Sequence, residues 1–171
     1  MDSRKTRRST SARVRRAVIA DAAAATVVPL PISWTRLPGV GVSHLLVAWD
    51  RGQLPELPAG HTWDVVQLPA AEGWETVRRL HELRSERGPA LHTPAGVDVF
   101  VQPGSADDWD LPRVSVFRMG ATVEVPHPSV VAPHTMCGCS WIVPPTGAQL
   151  TNTAALHEVY AAVTEARSGR T

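Results

Sequence analysis

The sequence has few of the residues that build disulfide-rich or membrane-spanning proteins. Of its 171 residues, two are cysteine and one is tyrosine. Cys137 and Cys139 are separated by a single residue, so they are poorly placed to pair with each other. The apolar run at residues 17–28 is too short to cross a bilayer. We therefore expect a reduced, cytoplasmic protein with no membrane partner.

The usual phosphate-binding loops are also missing. Neither G-x-x-x-x-G-K-[ST] nor G-x-G-x-x-G occurs in the sequence, which excludes the common P-loop and dinucleotide-binding signatures. No catalytic constellation stands out from the background. The sequence therefore indicates a fold class more readily than an activity.

Basic residues are concentrated at one end of the chain. The 17 basic residues nearly balance 16 acidic ones, but seven of the basic residues lie within residues 1–16. Such an arm can contact nucleic acid weakly, whereas the mildly acidic remainder is unlike a nucleic-acid clamp. Residues 1–28 resemble a secretory export signal, with a basic segment followed by an apolar one, but Asp21 interrupts the apolar segment. We expect a disordered basic tail with a short alanine-rich segment at residues 1–30, one domain at 31–166 and a frayed end at 167–171.

The centre of the chain, residues 61–104, has the pattern of strand, helix and strand. Residues 63–68 and 97–101 are rich in β-formers and predict two strands. Residues 70–87 predict a helix that ends at Gly88 and the following proline. Its apolar positions recur at steps of three: Trp74, Val77, Leu80 and Leu83.

The flanking segments complete the expected fold. Further strands are predicted at residues 42–49, 114–117, 121–125 and 141–143, the second and third forming a hairpin. Asn152 or Thr153 can cap a final helix whose buried stripe is Leu156, Val159, Tyr160 and Val163. One crossover helix, a hairpin and a final helix predict an α/β or α+β domain with a mixed sheet.

Three motifs between Val42 and Pro145 carry a resemblance to a known family. They are WDVVQLPAAEGWETVRRL, HTPAGVDVFVQPG, and GATVEVPHPSV followed by GCSWIVPP. In their order and spacing the chain resembles the N-terminal domain of bifunctional DNA primase/polymerases, within the archaeo-eukaryotic primase superfamily. It is most similar to the short, stand-alone actinobacterial versions. The resemblance implies a primase/polymerase-like fold and a site where two metals bridge nucleotide phosphates and the primer hydroxyl.

The positions that the family uses for catalysis hold other residues in this sequence. They are Gln67 and Pro69 for the acid-x-acid pair, Asp98 or Val99 for the phosphate-contacting histidine, and Phe117 or Val116 for a third acid ahead of Arg118. The resemblance therefore implies a catalytically degenerate domain, without a cofactor, that acts as a binding or regulatory module. One alternative is an active primase/polymerase that holds Mg²⁺ or Mn²⁺ through displaced ligands, Asp64 and Asp98. Another is an interaction domain unrelated to nucleic acid.

The remaining candidates lie in loops. His92 and Thr93 precede a proline and suit a phosphate contact, although threonine at such a turn commonly bonds its own backbone. Arg118, His127 and Ser129 complete the set of nucleotide or phosphate candidates. Four residues of zinc-ligand type also fall within one stretch: His127, His134, Cys137 and Cys139. Because structural zinc sites usually place two to four residues between paired cysteines, the spacing favours a reduced loop over a metal site.

Overall fold

A computed structural model of the protein describes residues 40–147 and 149–169. The elements in chain order are α1 (Val42–Asp50), β1 (Glu56–Pro58), β2 (Asp64–Leu68), α2 (Ala70–Glu82), β3 (Ala90–Thr93), β4 (Gly96–Val101), β5 (Ser115–Phe117), β6 (Thr122–Glu124), β7 (Ser140–Val143) and α3 (Thr153–Ser168). The basic tail and the alanine-rich run predicted from the sequence lie outside the described residues.

Seven strands form two sheets. Five of them make the main sheet, in the order β5-β2-β4-β3-β7, and β1 pairs with β6 in a separate small sheet. The predicted α/β class is confirmed, and α2 is the crossover helix between the parallel strands β2 and β3, which lie on either side of β4. The expected mixture of strand directions needs correction, because every ladder between these strands is antiparallel. Parallel pairing in the described part of the chain is limited to isolated bridges, Val101–Thr151 and Val131–Trp141.

The main sheet has a hydrophobic core on each face. Because side chains alternate along a strand, Val65 and Phe100 point to one face while Val66 and Val99 point to the other. The first core also contains residues of α1 and the small sheet, and we call this side of the sheet the front. Residues of α2 and α3 complete the second core, on the back. All six residues of β4 are buried, which makes it the central strand of the fold.

The segment predicted as the first core strand is a helix. Residues 42–49 belong to α1, in which Leu45, Ala48 and Trp49 are buried. Their spacing of three and four is that of one helical face. Val42, Leu46 and Val47 are exposed on the rest of the helix. The apolar run is therefore shared between a buried and an exposed face, and does not form a strand buried on both sides.

The hairpin expected around Gly120 does not form. β5 pairs with β2 at one edge of the main sheet, whereas β6 pairs with β1 in the small sheet. The turn at Gly120 therefore carries the chain from one sheet to the other. This connection encloses space in front of the main sheet.

The crossover helix is shorter than predicted, and its buried face is different. It ends at Glu82, and Arg84 follows with a left-handed φ of 52°. The Ser85 N–H then donates to the Leu80 carbonyl at 3.1 Å, as in a Schellman C-cap. Val77 and Leu80 are buried as predicted, but Trp74 and Leu83 are 39% and 67% exposed. The inner face is completed by small and polar residues: Glu72, Gly73 and Thr76.

The final helix agrees with its prediction. The Asn152 side chain accepts a hydrogen bond from the Ala155 N–H at 3.0 Å and caps the N-terminus of α3. The predicted stripe is buried: Leu156, Val159, Tyr160 and Val163. The helix extends to Ser168 with Gly169 as its C-cap residue, so Arg167 and Ser168 belong to the helix and not to the frayed end predicted from residue 167. No helix among the described residues has the length and apolarity needed to cross a membrane.

Candidate functional site

Two polar side chains face each other across the central ladder of the sheet. Gln67 on β2 lies directly opposite Asp98 on β4. Both follow the alternation that sends Val65 and Phe100 to the front face. The Gln67 Nε2 donates a hydrogen bond to the Asp98 Oδ1 at 2.8 Å. A polar pair thus lies within an otherwise apolar part of the sheet.

This pair borders a cleft of about 330 Å³, which we call the front cleft. Its walls come from β2, β4, the β3–β4 turn, β5, β6 and the residue before β7. The lining residues are Gln67, Thr93, Pro94, Ala95, Asp98, Phe117, Thr122, Val123, Glu124 and Cys139. The chain segment between β5 and β6, which replaces the predicted hairpin, is what places Thr122 and Glu124 opposite the main sheet.

Asp98 is the most unusual group in the front cleft. Asp98 is only 3% exposed. Burial raises the pKa of its carboxyl to about 6, because the hydrogen bond from Gln67, which lowers the pKa, offsets only part of the effect of burial. Only one of the two carboxyl oxygens has a hydrogen-bond partner among the described residues. At pH 7 and above, the site therefore presents a mostly ionised carboxylate with one oxygen free.

The neighbouring thiol is held in its protonated form. Burial raises the pKa of Cys139 to about 11, and the negative charges of Glu124 and Asp98 contribute in the same direction. Because the thiolate is the nucleophile and the metal ligand, a thiol with this pKa is poorly suited to either role near neutral pH. Cys139 therefore acts as part of the wall of the front cleft.

The front cleft is lined by acceptors and negative charge. Its ionisable lining residues are Asp98, Glu124 and Cys139, and no lysine, arginine or histidine lines it in the described part of the chain. The free oxygen of Asp98 and the Gln67 Oε1 are both acceptors without a hydrogen-bond partner among the described residues. A ligand that satisfies these atoms must bring hydrogen-bond donors.

Three of the positions singled out by the primase/polymerase resemblance meet in this cleft, and Pro69 does not line it. Gln67, Asp98 and Phe117 all line it. The two alternative positions, Val99 and Val116, pack into the back core instead. From the sequence alone, the family positions match either Asp98 or Val99, and either Phe117 or Val116, depending on an alignment shift of one residue. Alternation along β4 and β5 settles which member of each pair faces the front.

Asp64 lies on the other face of the sheet from Asp98. It pairs in register with Val101, and its Oδ2 accepts a hydrogen bond from the Gly104 N–H at 2.8 Å. Its residue is 2% exposed, and its Oδ1 is buried without a hydrogen-bond partner among the described residues. The two carboxylates point away from each other across the sheet, so they do not form a shared metal site. Asp64 instead holds the turn that follows β4.

His92 and Thr93 point to opposite faces of β3. The His92 ring contacts Trp74 on the back, where its Nδ1 accepts a hydrogen bond from the indole at 3.2 Å. The Thr93 hydroxyl accepts hydrogen bonds from the N–H groups of Ala95 and Gly96, each at 3.2 Å. A Cβ at Gly96 would collide with the Leu68 carbonyl, so this tight turn requires glycine. Of the predicted phosphate candidates, Thr93 alone lines the front cleft.

The other phosphate candidates have local partners. Arg118 forms an ion pair with Asp107 at 2.9 Å and donates to the carbonyls of Ala106 and Asp107. His127 Nδ1 lies 2.7 Å from the Ser129 hydroxyl, and its ring meets Trp49 edge-on. These contacts fix the loops that surround the core. They leave Arg118, His127 and Ser129 away from the front cleft.

The four residues considered for zinc are not assembled. Cys139 is buried beside the front cleft, whereas Cys137 is exposed and its thiol donates weakly to the Gly52 carbonyl at 3.8 Å. His127 is engaged with Ser129. Across residues 40–147 and 149–169, no group of three or more His, Cys, Asp or Glu residues is arranged to hold a metal ion.

A wider groove of about 740 Å³ lies on the back, between α2, α3 and β7. Its floor is apolar, with Val77, Val143 and Val163 among the lining residues. On its rim, Glu75 forms ion pairs with Arg78 at 2.7 Å and Arg79 at 2.8 Å. These hydrogen bonds lower the pKa of Glu75 to about 2. The groove is also lined by Arg87 and Arg167, so basic residues outnumber the single glutamate of its lining.

Sequence reasoning missed three features of the front cleft. The sequence identifies Gln67 only as a lost family ligand, and it predicts a hairpin for the segment that contains Thr122 and Glu124. The position of Gln67 could have been predicted from the sequence. A glutamine within DVVQL and an aspartate within GVDVFV are polar residues in otherwise apolar, buried strands. Nothing in the sequence pattern indicates that β6 faces β2 and β4 across a cleft.

Comparison with known proteins adds no assignment, because no family model, no curated protein and no solved structure matches the chain.

Proposed function

We propose that this protein is a catalytically degenerate primase/polymerase-like domain that acts as a binding module through the front cleft. The observation that carries the proposal is the convergence of Gln67, Asp98 and Phe117 on one cleft. The resemblance puts the first acid of the acid-x-acid pair, a histidine and the third acid at these three places, while Pro69, at the place of the second acid, precedes α2 and does not line the cleft. Three separate sequence motifs therefore point to a single site.

The residues at these places support binding without nucleotidyl transfer. Two-metal phosphoryl transfer needs several carboxylates to hold both ions against the phosphate oxygens. Of the three positions, only the one on β4 carries a carboxylate. Amide and phenyl groups at the other two cannot replace charged ligands, and the displaced pair Asp64 and Asp98 is divided by the sheet.

Nucleotide incorporation tests this proposal directly. We expect the full chain, with a primed DNA template, labelled deoxynucleotides and Mg²⁺ or Mn²⁺, to incorporate no label above the level of a no-enzyme control. Asp98→Asn and Asp64→Asn should give the same background, because neither carboxylate holds a catalytic metal. The measurement is the extended primer on a denaturing gel, with an active polymerase as a positive control.

Metal-dependent extension by the wild-type chain would contradict degeneracy, and the variants would locate the catalytic centre. Metal-dependent extension by the wild-type chain that disappears in Asp98→Asn would make the front cleft a catalytic centre. Loss of extension in Asp64→Asn alone would instead place the catalytic centre on the back of the sheet. Equal extension in all three proteins that persists on independently purified material would also contradict degeneracy and place the catalytic residues elsewhere in the chain.

A further inference from the structure

We propose that the front cleft binds a guanidinium group, either of a small molecule or of an arginine side chain. This inference rests on the proposed role of the cleft as a binding site and names the chemistry of its ligand. It follows from the hydrogen-bonding atoms, the charge and the shape of the lining.

The hydrogen-bonding pattern of the cleft calls for a donor. Asp98 is 3% exposed, and the one of its carboxyl oxygens that Gln67 does not engage has no partner among the described residues. The Gln67 Oε1 is a second free acceptor on the adjacent strand. A planar group with two or more N–H donors can engage both strands at once, and the guanidinium fork has this geometry.

The charge of the lining selects a cation. Glu124 lies at the rim and Asp98 at the base, with no cationic lining residue in the described part of the chain to balance them. Phosphate groups would be repelled by this lining, which argues against a nucleotide bound through its phosphates. A bare metal ion is also disfavoured, because the described residues contain no group of three ligands arranged for one.

The aromatic wall favours guanidinium over ammonium. Phe117 lines the cleft together with Pro94 and Ala95. A guanidinium is flat and weakly hydrated, so it stacks on a ring face while its edge donates to carboxylate. An ammonium group is a compact, strongly hydrated point charge and gains less from the same surfaces.

The chain itself carries a source of such groups. Most of the seven basic residues in 1–16 are arginines. The described part of the chain begins at Val40, which packs against the front core. The two dozen residues between Arg16 and Val40 can span on the order of 70 Å when extended, which is ample to reach a cleft on the same face. The ligand is therefore either an arginine of this arm or a separate molecule with the same group.

The test uses the full chain and two small probes, methylguanidinium and methylammonium. Binding is followed by amide chemical shifts in ¹H–¹⁵N spectra. We expect methylguanidinium to shift the amides of Gln67, Asp98 and Ala95 and to bind more tightly than methylammonium. Asp98→Asn should weaken it by about tenfold or more, because a charge-assisted hydrogen bond is lost. Asp108→Asn, which removes an exposed carboxyl that does not line the cleft, should bind like wild type.

Glu124→Gln keeps the test valid if Asp98→Asn fails to fold. Glu124 is exposed, so its substitution removes the rim charge without disturbing the core, and we expect about threefold weaker binding at low salt. The proposal is overturned if methylammonium binds as tightly as methylguanidinium, if the shifts lie outside the cleft, or if both cleft variants bind like wild type.

A variant with all seven basic residues of 1–16 changed to glutamine distinguishes the two sources. If the arm occupies the cleft, this variant binds methylguanidinium more tightly than wild type and its cleft amides shift before any probe is added. If the ligand is a separate molecule, both proteins bind the probe equally. Absence of binding in both proteins overturns the proposal. Nucleotide incorporation by the wild type would instead overturn the proposed function and leave the guanidinium result standing.

Discussion

The environment of Asp98 determines what this carboxyl can do. It lies inside a sheet, receives one hydrogen bond from Gln67, and is surrounded on the front by two other groups that become negative on ionisation, Glu124 and Cys139. Within residues 40–147 and 149–169, no cation lines the cleft to stabilise its charge. Ionised Asp98 is therefore a cost to the folded protein and an attraction for a cationic ligand.

This cost predicts a pH dependence of stability. The pKa of Asp98 is about 6 in the folded protein and near 3.8 in the unfolded chain. A raised pKa means that the contribution of Asp98 is fully favourable below about pH 4 and is lost as the pH rises through about 6. Asp98→Asn, which cannot ionise, should therefore be more stable than wild type at pH 8, by on the order of 2–3 kcal/mol. The difference should vanish near pH 4.

Urea unfolding of both proteins between pH 4 and 8 measures this difference. Asp108→Asn is the matched control, because its carboxyl is exposed, and it should differ from wild type by the same small amount at every pH. A variant that is less stable than wild type at pH 8 would show that Asp98 has a stabilising partner, contrary to the geometry of the front cleft.

At the scale of residues, the sequence predicted candidates better than it predicted their arrangement. Asp98 is a candidate in the sequence because the resemblance places it, or Val99, at a family site, and because it could share a metal with Asp64. Its partner across the ladder could not be assigned, since pairing between residues 67 and 98 depends on the register of two strands. His92 and Thr93 show the same limit: they are adjacent in sequence, yet β alternation sends them to opposite faces.

At the scale of elements, α1 shows where pattern reasoning is weakest. A run of eight mostly apolar residues satisfies both a buried strand and a helix, and neither Gly nor Pro interrupts it. The helix forms because Leu45 and Trp49 reach the front core from one face, and the Trp49 indole donates to the Val125 carbonyl at 3.0 Å. These contacts are long-range and are not visible in the local pattern.

The predicted hairpin failed for a related reason. The segments at residues 115–117 and 122–124 have the alternation and the glycine turn of a hairpin, and both are strands. Their partners, however, are β2 and β1, which lie about 50 and 65 residues earlier in the chain. Local turn chemistry predicted a reversal of the chain but could not identify which strand would be adjacent.

The crossover helix provides a test by paired substitution. Leu80 is 1% exposed in the back core, whereas Leu83 is 67% exposed just beyond the helix end. Leu80→Ala should leave a cavity and reduce the free energy of unfolding by about 2–5 kcal/mol. Leu83→Ala should change it by less than about 0.5 kcal/mol. Denaturant unfolding at fixed pH measures both.

The two variants make the same chemical change, so their difference reports only the environment. The sequence pattern alone assigned both leucines to one buried stripe and predicts equal losses. A large loss for Leu83→Ala would support that longer helix and contradict an end at Glu82.

At the scale of the whole molecule, charge divides the chain into unequal parts. Residues 1–16 hold seven of the 17 basic residues and one of the 16 acidic ones, which leaves ten basic against fifteen acidic residues in the rest. In the described part, many arginines are already paired with carboxylates, as Arg113 is with Glu72 at 2.8 Å. We therefore expect the arm, rather than the body, to make any contact with nucleic acid.

Retention on DNA measures the contribution of the arm. We expect the full chain to be weakly retained on immobilised duplex DNA at low salt and released steeply as salt rises, because counterion release drives such contacts. The variant with the seven basic residues changed to glutamine should not be retained, while it keeps the fold of wild type. Retention that survives both the substitutions and high salt would locate a nucleic-acid site on the folded body.

The position of Gln67 and Asp98 on the central ladder also governs how the molecule will report a ligand. Their strands have neighbours on both sides and cores on both faces, so their amides should be among the slowest to exchange with deuterated solvent, opening only when the whole fold opens. Because these amides exchange only through global unfolding, a ligand in the front cleft cannot slow their exchange by suppressing a local opening. Its binding should instead slow exchange uniformly across the sheet, by the factor with which it stabilises the native state.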